Sequence, residues 1–224
     1  MKQTFSLSVT LILLLSLGSC ATNKFRSAEV SPSEITDLRI FKPISFIEGI
    51  NKGNKAELSD SLSFYSSVLW VDVLKQNDFR IPLGKEIEID DPYFNTELEK
   101  QTIRFFDQLI MAGNVGNVEV PPLVVAVLDD EKNRFGLLTI HAGFTRRKGN
   151  YGGQVAKAVG IGILTLGMYA PVPTKANSSV FVAIIDNSTS KTIFYNRSIL
   201  TDKEPLDPKV LDKQINKLFK RYFW

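Results

Sequence analysis

One thiol, one imidazole, two pairs of adjacent carboxylates and one compact cationic cluster are the groups in this chain whose types and spacing could do chemistry. His141 stands between Ile140 and Ala142 in an alternating stretch, sharing a face with Thr139 and Thr145, while Leu138, Ile140, Ala142 and Phe144 point the other way. This pattern predicts a strand with the imidazole on a partly exposed sheet face. No carboxylate neighbours it in sequence, so it is a poor general-base candidate. Asp90-Asp91 and Asp129-Asp130 suggest metal ligation at first sight, but each pair precedes a proline or a polar turn, where Asp is favoured for local hydrogen bonding. Arg146-Arg147-Lys148 could touch phosphate headgroups or an acidic partner. A single Cys and a single His exclude an internal disulfide framework and Cys-rich metal sites, and remove most His-based metal and Ser-His-Asp arrangements. The expectation is no catalytic site, no metal and no cofactor.

A glycine-rich stretch from Tyr151 to Pro173 is the other conspicuous feature. It does not read as a phosphate loop: no strand leads into it, no Gly-Lys-Ser/Thr ending follows, and Gly160-Ile161-Gly162 lacks a third glycine at the required spacing. Ala156, Gly160 and Gly167 would lie near one helical face and permit close helix packing in a membrane. The uncharged part, Val159 to Tyr169, has only 11 residues, too few for a span of about 20. A buried helix or loop whose small residues approach the sheet is the preferred reading, with Pro171 and Pro173 ending it.

The thiol is the more telling group. Lys2 is followed by Phe5 to Leu17, 13 residues without charge. A bilayer core asks for about 20, so this is the core of a signal peptide rather than a span. Leu17-Gly18-Ser19-Cys20 resembles the bacterial lipobox, in which small residues fit the peptidase and the cysteine receives a diacylglycerol before becoming the mature amino terminus. That resemblance implies residues 1–19 as a lipoprotein signal peptide, Cys20 as the lipidation site, and palmitate-type acyl chains as the attachment to the membrane. An ordinary secretory signal would instead leave an odd exposed thiol in an oxidising compartment. One chain holds only marginally, at about 0.8 kcal/mol per buried methylene, whereas two or three anchor permanently. Residues 20–36 then read as a polar tether. Ala21 stands where Asp favours the inner membrane in well-studied lipoproteins, which implies the outer membrane. No acidic run follows, so the domain is expected to face the periplasm.

Residues 37–224 must supply the fold that positions any site. The whole chain has 224 residues, of which 44% are apolar and 23% charged, which fits one ordinary globular domain. Its net charge of +3 is too small to argue for nucleic acid. Leu38 to Ile50 reads as a first strand that Pro43 demotes in part to an edge or bulge. Leu58, Leu62, Tyr65, Leu69 and Val73 mark one face of a helix ending near Gln76-Asn77, and Phe79 to Pro82 reads as a short strand. Thr96 and Glu99 form a capping-box pair for a helix to Met111, stopped by Gly113. Leu123 to Leu128 and Phe135 to Phe144 read as a hairpin around the polar 129–133 turn. A second hairpin joins Val180 to Ile185 with Thr192 to Leu200, and Asp207-Pro208 opens a last helix with Leu211, Ile215, Leu218, Phe219 and Phe223 inward. This order predicts an α+β fold: a mixed, mostly antiparallel sheet with helices packed on one face.

The run Val180-Phe181-Val182-Ala183-Ile184-Ile185-Asp186 with Thr192-Ile193-Phe194-Tyr195 resembles envelope lipoproteins related to the curli-secretion-channel lipoprotein and the TolB amino-terminal domain. The resemblance implies an accessory, assembly or channel component. A channel role lacks clear lipid-facing barrel strands here. The expected function is that of a non-catalytic, membrane-anchored envelope lipoprotein that assembles with itself or with another envelope protein. The alternative is a periplasmic ligand-binding module or a hydrolase with a site near His141.

Overall fold

The computed structural model describes residues 30–51, 55–112, 115–146 and 174–224. Cys20, Arg147, Lys148, Gly113 and the glycine-rich stretch 151–173 lie outside the described residues.

Among the described residues seven strands form one mixed sheet, and four α-helices flank it: an α+β fold. The strands are β1 (Leu38–Ile40), β2 (Ile44–Ile50), β3 (Ala56–Leu58), β4 (Leu83–Glu86), β5 (Phe135–Arg146), β6 (Asn177–Asp186) and β7 (Lys191–Thr201). The helices are α1 (Asp60–Lys75), α2 (Pro92–Met111), α3 (Pro122–Asp130) and α4 (Pro208–Phe219). The longest ladders, β5 with β6 and β6 with β7, are antiparallel, as the predicted 180–200 hairpin requires. Asp186 pins its turn. Its carboxylate accepts from Ser188 and from the Arg134 guanidinium in a two-pronged pair at 2.8 and 2.9 Å. Burial pushes the Asp186 carboxyl up, but Arg134 and Ser188 together outweigh it and hold the group below the ordinary Asp value.

The other edge of β5 is divided. β1 runs parallel along residues 135–137 and β2 parallel along 140–146, so the expected first strand is two strands lying end to end. Pro43 has no N–H to give to a ladder, and the chain leaves the sheet around it. Leu138 and Thr139 consequently have no register partner on this edge. β3 pairs beside β2 and β4 beside β1, which leaves a notch between them.

Helices cover both faces rather than the one expected. Val180, Val182 and Ile184 join Trp70 and Leu74 of α1 and Leu211, Ile215 and Phe219 of α4 in one buried cluster. Ala183 and Ile185, alternating with them, join Phe105 and Phe106 of α2 and Val124 and Leu128 of α3 in another. A central strand apolar on both sides must be covered on both sides. Gly136 lets α3 close on the sheet, since a Cβ there would sit 2.8 Å from the Phe41 ring and 3.1 Å from Leu128.

Four local expectations are corrected. Leu123 to Leu128 is helical, not a hairpin strand: Pro122 opens α3 at its first turn, and Val124, Val127 and Leu128 are buried at helical spacing. The strand expected at Phe79 to Pro82 is a turn, and β4 begins at Leu83 beside β1. Helix α2 starts earlier than the Thr96–Glu99 pair, because Asp91 caps it by accepting from the Tyr93 and Phe94 amides at 2.8 and 3.2 Å. Finally, Val30 and Ile35, expected in the tether, are buried with Trp70 and Leu38, so the described packed region already includes them.

Candidate functional site

His141 is wholly buried rather than on a partly exposed face. The α1 and α4 helices close over that side of β5, which periodicity along the strand could not reveal. Ser66 Oγ of α1 lies 2.7 Å from Nδ1, and Ser178 Oγ of β6 lies 3.0 Å from Nε2. Ser178 donates to Gln214 Oε1 at 2.8 Å, and the Gln214 amide donates to the Ser178 and Ser198 carbonyls at 3.1 Å each. Since the Ser178 hydroxyl proton is committed to Gln214, Nε2 carries the hydrogen of the neutral imidazole, and the single Ser66 hydroxyl hydrogen is shared between Nδ1 and Ser45 Oγ. Ser45 Oγ, 3.2 Å from Ser66, ends the chain of contacts.

Ser66 and His141 have the separation of a nucleophile and its base, but the third position is a hydroxyl backed by an amide, not a carboxylate. Burial pushes the His141 imidazolium down to about 4. Such a base is weak at neutral pH, and both partners are enclosed. The network joins α1, β5, β6 and α4, and its chemistry is that of a fastening.

The acidic pairs divide. Asp91 is the cap of α2, and Asp129 accepts from the Asn187 amide at 2.6 Å. Among the described residues no group of three or more His, Cys, Asp or Glu side chains is arranged to hold a metal. Arg146 ends β5, donates to the Thr174 carbonyl at 2.8 Å and lies over the Phe144 ring.

Asp90, in contrast, stands at the rim of a cleft of about 640 Å³ that enters the notch beside Pro43. The floor is Ile44, Leu98, Leu138 and Thr139, with Val71 of α1 on one side and Ile87 on the other. Five carboxylates line it, Asp72, Glu86, Glu88, Asp90 and Glu99, with Lys42 as a cation in the lining. Glu86 is paired with Lys75. No ion pair or side-chain hydrogen bond engages the carboxylates of Asp72, Glu88, Asp90 and Glu99 among the described residues. Thr139 is 2% exposed, yet its hydroxyl has no hydrogen-bond partner. Beyond the cleft, Ile87–Asp90 is shared with a second hollow of about 380 Å³ carrying Asp91, Asp130 and Glu131. Sequence reasoning assigned Asp90 to turn chemistry and missed the cleft. The alternation Glu86-Ile87-Glu88-Ile89-Asp90 was the signal: an extended segment acidic on one side and apolar on the other.

Phe64 and Val68, one turn apart on α1, carry apolar surface out of the cleft at 65% and 44% exposure. Tyr65 and Leu58 nearby are also exposed. No helix among the described residues is long and apolar enough to cross a membrane.

No family model matches the chain, and no curated protein matches it. It is remotely similar to the PelC dodecamer from Paraburkholderia phytofirmans, with a TM-score of 0.43 and 8% identity over 88% of this chain and 96% of that chain. It is also remotely similar to the LpoB C-terminal domain from Salmonella enterica, with a TM-score of 0.33 and 5% identity over 78% of this chain and 87% of that chain. Likenesses of this size carry nothing about activity or partner.

Proposed function

We propose that this chain is a lipid-anchored envelope protein, held in the outer membrane through acyl chains on Cys20 and facing the periplasm, that works as an accessory or assembly component by binding rather than by catalysis. The anchor reading is supported by the uncharged Phe5–Leu17 core followed by Leu17-Gly18-Ser19-Cys20. The binding reading is carried by one observation: a cleft with an apolar floor whose rim holds four carboxylates without a partner among the described residues. The imidazole, Ser178 and Gln214 are satisfied within the fold; charges left facing a concave apolar surface are available to something else. The hydrolase alternative at His141 loses ground, because the imidazole is enclosed, pushed to about 4, and lacks a carboxylate behind it.

Metabolic labelling with an alkyne fatty acid tests the anchor. The full-length chain should take the label and fractionate with membranes, and Cys20→Ser should lose both properties, because a hydroxyl does not replace the thiol in acylation. Label retained on that variant overturns the anchor. Crosslinking in intact envelopes tests the binding role: a discrete adduct with a second envelope protein or a second copy is expected. Esterase or amidase activity that disappears in Ser66→Ala would overturn the non-catalytic reading.

A further inference from the structure

We infer that the notch cleft is a docking site for a basic polypeptide segment, one that lays an apolar side chain on the cleft floor and sets lysine or arginine side chains against its rim. This rests on the binding role proposed above and names the class of partner. Three observations lead to it.

The first is charge. Asp72, Glu88, Asp90 and Glu99 converge on one cleft from α1, the Ile87–Asp90 segment and α2, with no ion pair among the described residues, although the whole chain is net positive at +3. Gathering like charges costs repulsion, which a cationic occupant would relieve. Lys42, in the same lining, is a single cation against them.

The second is an orphaned group. Thr139 lines the cleft, its Oγ1 is, like Trp70 Nε1, Thr192 Oγ1 and Ser198 Oγ elsewhere, buried without a hydrogen-bond partner among the described residues, and it sits on a stretch of β5 that the Pro43 excursion leaves without a register neighbour on this edge. A buried hydroxyl that bonds to nothing is uncommon and costly. The atom itself has almost no accessible surface, so a backbone amide or carbonyl of an inserted segment would bond to it only with a local shift of the side chains that cover it.

The third is extent. The apolar surface does not end at the mouth but continues over Phe64 and Val68, both substantially exposed. A small polycation would use the rim carboxylates and leave this surface wet. An extended peptide uses both, with charge complementarity for register and apolar burial for affinity.

The test uses the full-length lipoprotein in nanodiscs of zwitterionic phosphatidylcholine, with empty nanodiscs subtracted. A fluorescent peptide, Gly-Lys-Leu-Arg-Leu-Gly, is compared with its Glu-for-Lys/Arg counterpart and with spermine. The basic peptide should bind at least tenfold more tightly than the acidic one. Its affinity should fall at least tenfold in Glu88→Gln/Asp90→Asn/Glu99→Gln and at least threefold in Phe64→Ser and in Thr139→Val, with each variant's thermal midpoint confirming its fold. Binding unchanged in the triple variant, or equal for the two peptides, overturns the proposal. Spermine binding more tightly than the peptide, with no dependence on Phe64, also overturns it and assigns the cleft to a small polycation. Neither result touches lipid labelling or envelope crosslinking, so failure here and failure of the broader reading are separable.

Discussion

Two polar regions border β5, and they obey opposite rules. Around His141, imidazole, hydroxyls and amide are enclosed between α1, α4 and the sheet, and each polar atom of the imidazole, Ser178 and Gln214 is bonded to another. Across the strand edge, at the Pro43 notch, four carboxylates line a concave surface over the buried Thr139 hydroxyl, and none of these groups has a protein partner among the described residues. The first arrangement contributes to stability because its low-dielectric surroundings make each bond count. The second stabilises the free molecule in no evident way, which makes it the place to look for function. A residue's chemical type is thus a poor guide to its role; whether its bonding capacity is exhausted inside the fold is a better one.

The sharpest way to break this contrast is Gln214→Ala. It strands the Ser178 hydroxyl and two carbonyls and opens a cavity, so the unfolding free energy should drop by about 4 kcal/mol in denaturant titration. A loss under about 1 kcal/mol would demote the network.

Next comes pH. His141 is neutral in the fold down to about 4, whereas an unfolded imidazole takes its proton near 6.5. Between those values the unfolded state binds more protons, so stability falls as pH falls through this window, by about 3 kcal/mol in all, and is unaffected by His141 above it. As the chain has a single histidine, its NMR titration can be followed without ambiguity, and a midpoint near 6.5 would contradict the burial.

A smaller effect of opposite sign is expected at the notch. Thr139→Val removes a buried hydroxyl without a partner and keeps the side chain's shape, so the free protein should gain up to about 1 kcal/mol. A loss of that size would reveal a bond to the hydroxyl in the free protein. Smallest of all, the Glu88→Gln/Asp90→Asn/Glu99→Gln variant should unfold within about 0.5 kcal/mol of the parent, because no ion pair among the described residues is lost.

The two regions also differ in how far sequence could reach them. The β6–β7 hairpin, α4 and the α+β class were legible because their signals are local: a continuous apolar run, a polar turn, Asp207 before Pro208. Leu123 to Leu128 misled because its valines favour strands when considered alone, while Pro122 and the apolar core under α3 favour a helix together. His141 was recognised as a strand residue, but its partners Ser66 and Ser178 lie 75 and 37 positions away. The cleft required more still, since Asp72, Asp90 and Glu99 meet only once α1 and α2 have packed on opposite faces of the sheet.

The excursion at Pro43 also bears on how this sheet avoids unwanted company. It breaks one margin into β1 with β4 and β2 with β3, where the outer strands are three and four residues long and carry Glu57, Lys85 and Glu86. Short, charged margins are poor templates for a stray strand from another chain. The opposite margin, β7, is 11 residues long but is flanked by the turn at Val115–Asn117 and bears Lys191 and Arg197. A single proline therefore opens a recess and at the same time blunts the edge most vulnerable to fibre-like stacking, so filling the recess by straightening the strand would come at the cost of a longer, stickier border.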